Sequence, residues 1–450
     1  MLQLTRPLTA QLEITDKCNF RCRHCYHLNF DYKKDSKDLP DEQVMRMAAK
    51  LAENKIFSVI ITGGEPLVRK SLARKLVAYL KGCNINVSIN TNLQLLDPET
   101  LDDLTESNLD SMLISCPSSD PQIYRHMTGC GDFSSFLSRL KMALDRKQHC
   151  SVNMVVNRSN FGCIRETAKC MRDVGVKIFG ATPMGMNLEN PDTGNLLTLS
   201  EVRKLIEELV WIKENLDLEV DIFEAIPKCA FPSWVRDKNL QFLNRKCQAG
   251  KTIISVSNNG DVRPCTHNPD AYGNLLSETL TAIWQRMHSW RNTQNIPERC
   301  TTCKIFSNCH GGCRITAKAC TGDCRGEDPW MDLSNTSGEW AKKVKSEVIL
   351  YPEMIVAFAK IFRWRHESGD NYLISSTRNS RNLTAINRQL FNFVMHLNQV
   401  TPLSLKDLAT SVLRDFTDSD FQRVVKLLIT REFIFPKTSR KEVIANGKYV

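Results

Sequence analysis

Short β-branched apolar runs alternate with longer stretches of helical period through the first half of the chain, the pattern of parallel strands covered by helices. It predicts strands at Ala10 to Thr15, Ser58 to Thr62, Asn86 to Asn90, Ser111 to Ser115, Ser151 to Val156 and Lys177 to Ala181. Helices are predicted at Asp41 to Glu53, Ser71 to Leu80, Phe133 to Arg146, Cys163 to Val174 and Ser200 to Asn215. Such an α/β series suits a partial (β/α)6 TIM-like barrel better than a closed eight-fold one, with an open doubly wound sheet as the alternative.

From about Lys228 the texture changes to short strands, turns and cysteines. Thr252 to Val256, Asn259-Gly260 and Asp261 to Arg263 predict a β-hairpin with a tight primed turn that brings Cys265 back toward Cys247. A polar stretch around Asp332 to Gly338 reads as a linker. Beyond it lie strands near Phe362 to Arg365, Tyr372 to Ser375 and Leu383 to Asn387, then helices near Arg388 to Leu397, Ser404 to Leu413 and Ser419 to Arg431. Ser404 and Asp418 are the expected N-caps of the last two helices, and the whole resembles a winged helix. The division expected is a barrel over 1–227, a cysteine-rich domain over 228–331, a linker over 332–350 and a winged-helix domain over 351–450.

With 42% hydrophobic and 24% charged residues, the 450-residue chain has the composition of a folded protein. Its net charge of +10 is spread without a block of like charges, so electrostatics alone names no partner. Met1 to Ala10 lacks the basic segment and apolar core of a signal peptide, and no run of about 18 apolar residues occurs. A cytoplasmic protein without a membrane span is expected.

Eighteen cysteines do not suit that picture, because a reducing compartment keeps thiols apart and a chain of this size needs no staples. Cys18, Cys22 and Cys25 form one array; Cys247, Cys265, Cys300, Cys303, Cys309, Cys313, Cys320 and Cys324 form another. The rest (Cys83, Cys116, Cys130, Cys150, Cys163, Cys170, Cys229) sit singly in apolar segments, where a thiol acts as a small hydrophobe; only Cys229 is set apart as a candidate ligand. Cys18-x3-Cys22-x2-Cys25 follows the first strand, so its loop emerges at the carboxyl end of the sheet, where barrel enzymes place their chemistry. Zinc, with His24 or His27 as a further ligand, is one reading of this loop. The other is a four-iron cluster on three cysteines, which leaves one iron open.

The spacing, with Tyr26 beside the last cysteine and Gly63-Gly64-Glu65-Pro66 after the second strand, resembles the radical S-adenosylmethionine enzymes over residues 8 to about 200. The resemblance implies that the open iron chelates the amino and carboxylate groups of S-adenosylmethionine. Reductive cleavage then yields a 5′-deoxyadenosyl radical that takes hydrogen from substrate. It further implies cofactor contacts from Tyr26, Gly63, Gly64, Glu65, Pro66, Asn92, Ser115 and Asn153. Glycines allow close backbone approach to a ligand, and Glu65 can accept from an ammonium.

Cys247-x12-Gly260-x4-Cys265, then Cys300-x2-Cys303-x5-Cys309-x3-Cys313, resembles the SPASM domain, which carries two auxiliary iron-sulfur clusters. Zinc ribbons are the alternative use of such thiols. The resemblance places Cys247, Cys265 and Cys313 on one cluster and Cys300, Cys303 and Cys309 on the other, making three 4Fe-4S clusters in all. Asp328-Pro329 is followed by Trp330 and Met331 where the family often has its last cysteine, so Cys324, with Cys320 as rival, is expected to close the second cluster. The first is left with Cys320, Cys229 or an open iron.

Many SPASM enzymes act on ribosomally made precursor peptides, and the tail resembles a winged-helix clip for a leader segment. Residues 351–450 hold 15 Lys+Arg and 9 Asp+Glu, a +6 balance that suits an acidic leader adding as a strand beside Leu383 to Asn387 and lying against the last helix. The expected activity is a peptide maturase that forms a thioether or carbon cross-link, supplied with electrons by a flavodoxin or ferredoxin. A sulfatase-type maturase acting on a protein Cys or Ser is the alternative enzyme. An iron-sulfur redox sensor that binds DNA is the non-enzymatic one, opposed by Asp418 and Asp420 at the start of the recognition helix. Nothing in the sequence singles out a general base.

Overall fold

Apolar strands and amphipathic helices alternate along residues 6–341 and form one unit, in a computed structural model that describes residues 4–26, 38–186, 188, 191–292, 294–332, 334, 350–378, 383–397 and 402–436. In chain order come β1 (Thr9–Glu13), α1 (Asp41–Glu53), β2 (Ser58–Thr62), α2 (Lys70–Gly82), β3 (Asn86–Thr91), α3 (Pro98–Glu106), β4 (Ser111–Ser115), α4 (Pro121–Thr128), α5 (Phe133–Asp145), β5 (Cys150–Val156), α6 (Ile164–Val174), β6 (Ile178–Pro183), α7 (Leu199–Leu216) and β7 (Glu219–Asp221). Then follow β8 (Ile253–Val256), β9 (Val262–Arg263), α8 (Leu280–Arg286), α9 (His288–Arg291), α10 (Glu298–Thr301), α11 (Phe306–Cys309) and α12 (Arg314–Thr321).

The sheet runs β7-β6-β5-β4-β3-β2-β1-β8-β9, parallel from β7 through β8, with β9 antiparallel at the edge. Its end strands pair with no further strand among the described residues, so this is the expected partial TIM-like barrel. Val59, Ile61, Ile89, Ile114 and Val152 are fully buried on one face, while the positions between them are only partly buried. Three parts of it lie beyond the sequence pattern. Helices α3 and α4 are only nine and eight residues long, although Asp97-Pro98 and Asp120-Pro121 are legible N-caps whose carboxylates accept from backbone N–H groups. Strand β7 has three residues, too few to show a period.

The hairpin is present with a different turn. Ser257 donates to Asp261 O (2.9 Å) and only Gly260 has positive φ (+92°), so Asn258, Asn259 and Gly260 form a three-residue loop in place of the two-residue primed turn. Its first strand joins the barrel, as Thr9 to Leu12 pair in parallel with Ile253 to Val256. The Glu13 carboxylate sits under this junction, 2% exposed, bonded by Ser255 Oγ and paired with the buried Arg263 guanidinium.

The second unit comprises the described residues of 342–450 together with residues 4 and 5. Its elements are β10 (Ile355–Phe358), β11 (Ile361–Glu367), β12 (Asn371–Ser376), β13 (Thr384–Asn387), α13 (Arg388–Leu397), β14 (Leu403–Ser404), α14 (Leu405–Ser411), α15 (Ser419–Thr430) and β15 (Ile434–Pro436). The three strands expected, β11, β12 and β13, form an antiparallel sheet, while β10 pairs with β14 and β15 in a second sheet whose strands of two to four residues escape the pattern. Val356, Ile374, Leu405, Val425 and Ile434 share one core. Ser404 and Asp418 cap α14 and α15 as expected. Arg365 and Glu367 pair with both side chains fully buried, and Thr5 N–H and Oγ1 donate to Glu367 Oε2 at 2.7 and 2.8 Å. The expected linker falls almost wholly outside the described residues, as does His27.

Arg263→Met strands Glu13 as a buried, unpaired charge and is expected to lower the stability of the metal-free chain by about 3–5 kcal/mol in urea unfolding. Adding Glu13→Gln should recover most of that loss; an unchanged midpoint in the single variant would show that the pair does not hold the hairpin to the barrel.

Candidate functional site

The inward face of the sheet is polar where a closed core would be apolar. Gln11, Asn90 and Asn153, from β1, β3 and β5, line a cavity of about 700 Å³, within the range of small-molecule sites. The loop after β1 covers it with Cys18, Cys22 and Cys25, and the cysteine-rich segment contributes Cys247, Cys265 and Cys313 to the same wall.

The first loop is held by backbone. Arg21 and Arg23 N–H donate to Thr128 O (2.9 Å) and Met127 O (3.0 Å) at the end of α4, and Phe20 N–H points at Cys18 Sγ (3.3 Å). Burial pushes the Cys18 thiol up to about 12 and the Cys22 thiol well above its ordinary value. Such thiols stay protonated at neutral pH until a metal replaces the proton. Cys130, expected to be an inert buried thiol, is instead exposed beside this loop, where it donates to Asn19 O (3.2 Å) without lining the cavity.

Gly63 and Gly64 do make a close approach, and it is to the cysteine loop. A Cβ on Gly63 (φ +139°) would stand 2.3 Å from Thr15 O, and one on Gly64 2.3 Å from Lys17 O. Gly64 and Glu65 N–H donate to Thr15 O (2.8 Å) and Lys17 O (2.9 Å). The glycines thus seat the base of the cysteine loop, and both also line the cavity. Glu65, 1% exposed, accepts from Leu67 N–H (3.0 Å), Thr91 Oγ1 (2.8 Å) and Asn92 N–H (2.7 Å). Three donors take three of the carboxylate's roughly four acceptor sites, leaving one on Oε2, and Glu65 itself lines the cavity. Pro66 is buried at the first position of a 3-10 turn and does not line the cavity, a departure from its expected ligand contact.

Asn92 spends its amide on Asn19 Oδ1 (2.8 Å), and Asn153 Oδ1 accepts from Thr182 Oγ1 (2.8 Å); both line the cavity, as does Ser115. The Tyr26 ring lies against His267 with centroids 4.6 Å apart, and its hydroxyl bonds Thr62 and Thr266. His267, Glu224 and Arg245 line the same space. They come from loops in the second half of the unit and carry no sequence signal, except that His267 lies two residues after Cys265.

The later cysteines divide at one turn. His310, Gly311 and Gly312 have φ of +60°, +76° and +78°, a left-handed run that sends Cys309 and Cys313 to different cavities. Gly312 is required twice, since a Cβ there would also lie 2.4 Å from Asp328 Oδ2. Asp328 accepts from Cys313 N–H (2.9 Å) and Trp330 N–H (3.0 Å), so this Asp-Pro-Trp segment supports Cys313 through its backbone. Cys300, Cys303 and Cys309 line a second, smaller cavity with Cys229. Cys320 and Cys324, expected as cluster ligands, line neither of the two cavities: Cys320 is exposed near the end of α12, and Cys324 lies in the turn beyond Gly322, its carbonyl bonded by Arg314 (3.0 Å).

Thiol-lined cavities with N–H groups aimed at sulfur fit iron-sulfur ligation, and the polar wall above Cys18 fits a zwitterionic cosubstrate. Among the described residues, no three His, Cys, Asp or Glu side chains are gathered tightly enough to cage a single metal ion.

This is a partial-barrel enzyme site with its first cysteine loop at the carboxyl end of the strands. Residues 12–171 match the Radical SAM superfamily, and residues 247–309 match SPASM, an iron-sulfur cluster-binding domain. The chain is therefore an enzyme that carries both domains, with S-adenosylmethionine and iron-sulfur clusters as the cofactors they imply. It is 26% identical over 336 residues to the mycofactocin maturase MftC of Mycolicibacterium smegmatis, covering 72% of this chain and 83% of that one. It is 26% identical over 347 residues to the PqqA peptide cyclase of Bradyrhizobium diazoefficiens (73% and 87%) and 21% identical over 353 residues to the AdoMet-dependent heme synthase of Methanosarcina barkeri (73% and 98%). The crystal structure of Streptococcus suis SuiB bound to precursor peptide SuiA shares the fold, with a TM-score of 0.60, 19% identity and coverage of 72% and 76%.

Glu65→Ala removes the acceptor of two backbone N–H groups and a hydroxyl, and is expected to destabilise the metal-free chain by about 2–4 kcal/mol in chemical unfolding. Glu65→Gln, which keeps one acceptor oxygen, should lose less. Equal stability of all three proteins would leave Glu65 without a structural role.

Proposed function

We propose that the chain is a maturase of a ribosomally synthesised peptide, forming a thioether or carbon cross-link after hydrogen abstraction. The observation that carries this reading is the single cavity lined both by Cys18, Cys22 and Cys25 and by Cys247, Cys265 and Cys313. With both sets loaded, a substrate side chain held there would have a radical-generating centre and an electron acceptor lining the same space. The relatives named for peptide maturation and cyclisation, and the peptide-bound solved structure, support a peptide as the substrate.

In this reading Cys18, Cys22 and Cys25 hold a four-iron centre with one open iron. Tyr26, Gly63, Gly64, Asn92, Ser115 and Asn153 surround S-adenosylmethionine, while Glu65 and Pro66 keep that wall in place. Cys247, Cys265 and Cys313 hold a second centre, and Cys300, Cys303 and Cys309 belong to a third. When bound and reduced, the first centre and its cosubstrate supply the homolytic chemistry that removes hydrogen from carbon; the protein's part is to bind, orient and exclude water.

Domains over 1–227, 228–331 and 351–450, with a linker over 332–350, follow the same reading, as do a cytoplasmic location and a flavodoxin or ferredoxin as electron donor. The last domain would act as a winged-helix clip. Strand β13 pairs on one side with β12 and, among the described residues, with no strand on the other, an edge onto which a leader adds by backbone hydrogen bonds. DNA is disfavoured as a partner because Asp418 and Asp420 stand at the start of α15. The heme synthase relative favours a second reading, a tetrapyrrole substrate in the same cavity.

Reconstituted without oxygen and given S-adenosylmethionine and dithionite, the full chain should release 5′-deoxyadenosine, and Cys22→Ala should release none. Co-expressed with a peptide encoded beside it, the chain should leave that peptide lighter by two hydrogens. An unmodified peptide together with turnover of a tetrapyrrole would favour the second reading.

A further inference from the structure

The smaller cavity holds one more cysteine than the resemblance assigns to it. Cys300, Cys303 and Cys309 line it together with Cys229, which lies far upstream in a 3-10 turn, Lys228–Ala230. We propose that Cys229 is the fourth thiolate of this centre, closing it with four protein ligands. The proposal rests on the SPASM segment binding an iron-sulfur centre at all, and goes beyond it by naming a ligand outside residues 247–309.

Two sets of contacts carry it. The turn is fixed against the later cysteines, since Lys228 N–H donates to Cys309 Sγ at 3.2 Å. Its position is further anchored by the buried Lys228 ammonium, which bonds the carbonyls of Leu243 and Arg245 just before Cys247.

The competing ligands are engaged elsewhere. Cys324 lines neither cavity, and its carbonyl is bonded by Arg314 (3.0 Å). Cys320 is exposed, with Asp328 as its charged neighbour. Asp332 also lines the small cavity, but its carboxylate is taken by Arg203 and by Ser334 N–H (2.9 Å) and Oγ (2.6 Å). Four cysteines around one centre leave no iron open, so this centre would relay electrons and bind no substrate.

The test uses the full chain with Cys18, Cys22 and Cys25 replaced by Ala, which removes the first centre and isolates the auxiliary ones. After anaerobic reconstitution, iron and sulfide are counted and electron paramagnetic resonance is recorded in oxidised and reduced states. Cys229→Ala is expected to lose about four irons per chain or to give the oxidised three-iron signal of a cube missing one ligand, whereas Cys324→Ala, Cys320→Ala and Asp332→Asn retain the parent's iron and spectrum. Full iron and an unchanged spectrum in Cys229→Ala, or loss in Cys324→Ala, would overturn the proposal.

Because Cys229→Ala could disturb folding, native alkylation of the otherwise unaltered chain provides the second measurement. Cys229 should be protected when iron is bound and become reactive after chelation, while Cys320 stays reactive throughout. Alkylation of Cys229 in the loaded protein overturns the proposal. If the triple-Ala chain binds no iron, the cluster-binding reading of the SPASM segment fails and takes this proposal with it.

Discussion

Strand β1 is paired on both sides, in parallel with β2 and in parallel with β8, and the cavity depends on that double pairing. Its own carboxyl end leads into Cys18, Cys22 and Cys25. Its neighbour β2 leads into Gly63, Gly64 and Glu65, which grip the base of that loop. Its other neighbour β8 stands between Cys247 and Cys265 in the chain. Moving any one of the three strands by a residue would reverse which side chains face inward. The buried Glu13–Arg263 pair lies at this junction, where a lost partner is costly.

A second constraint is the burial of thiols. Cys18, Cys265 and Cys229 are each pushed up to about 12, chiefly by burial, so none is a thiolate at neutral pH without a cation to replace its proton. A fold that buries thiols in sets therefore couples metal binding to proton release and to stability. The left-handed run from His310 to Gly312 divides the later cysteines between two cavities. Only residues that tolerate positive φ allow so abrupt a reversal between two cysteines.

Gly63-Gly64-Glu65-Pro66 shows how one motif does structural and chemical work together. The glycines admit the backbone of Thr15 and Lys17, Glu65 ties the end of β3 to the turn after β2, and Pro66 starts that turn. The wall facing the cavity is what remains exposed once those bonds are made.

Much of this was legible along the chain. The alternation of strand and helix, the Cys18-x3-Cys22-x2-Cys25 loop, the hairpin and the caps at Ser404 and Asp418 all rest on neighbours a few residues apart, so local pattern suffices. At Asn259-Gly260 composition does not separate a two-residue from a three-residue hairpin loop, and only the Ser257–Asp261 hydrogen bond distinguishes them. Pairing of β8 with β1, the meeting of Glu224 and His267 with the cysteines, and the presence of Cys229 rather than Cys324 in the cavity with Cys309 were decided by tertiary structure alone. A cavity lining joins residues distant in sequence, and the path of the folded chain, which spacing does not specify, determines which thiol reaches it.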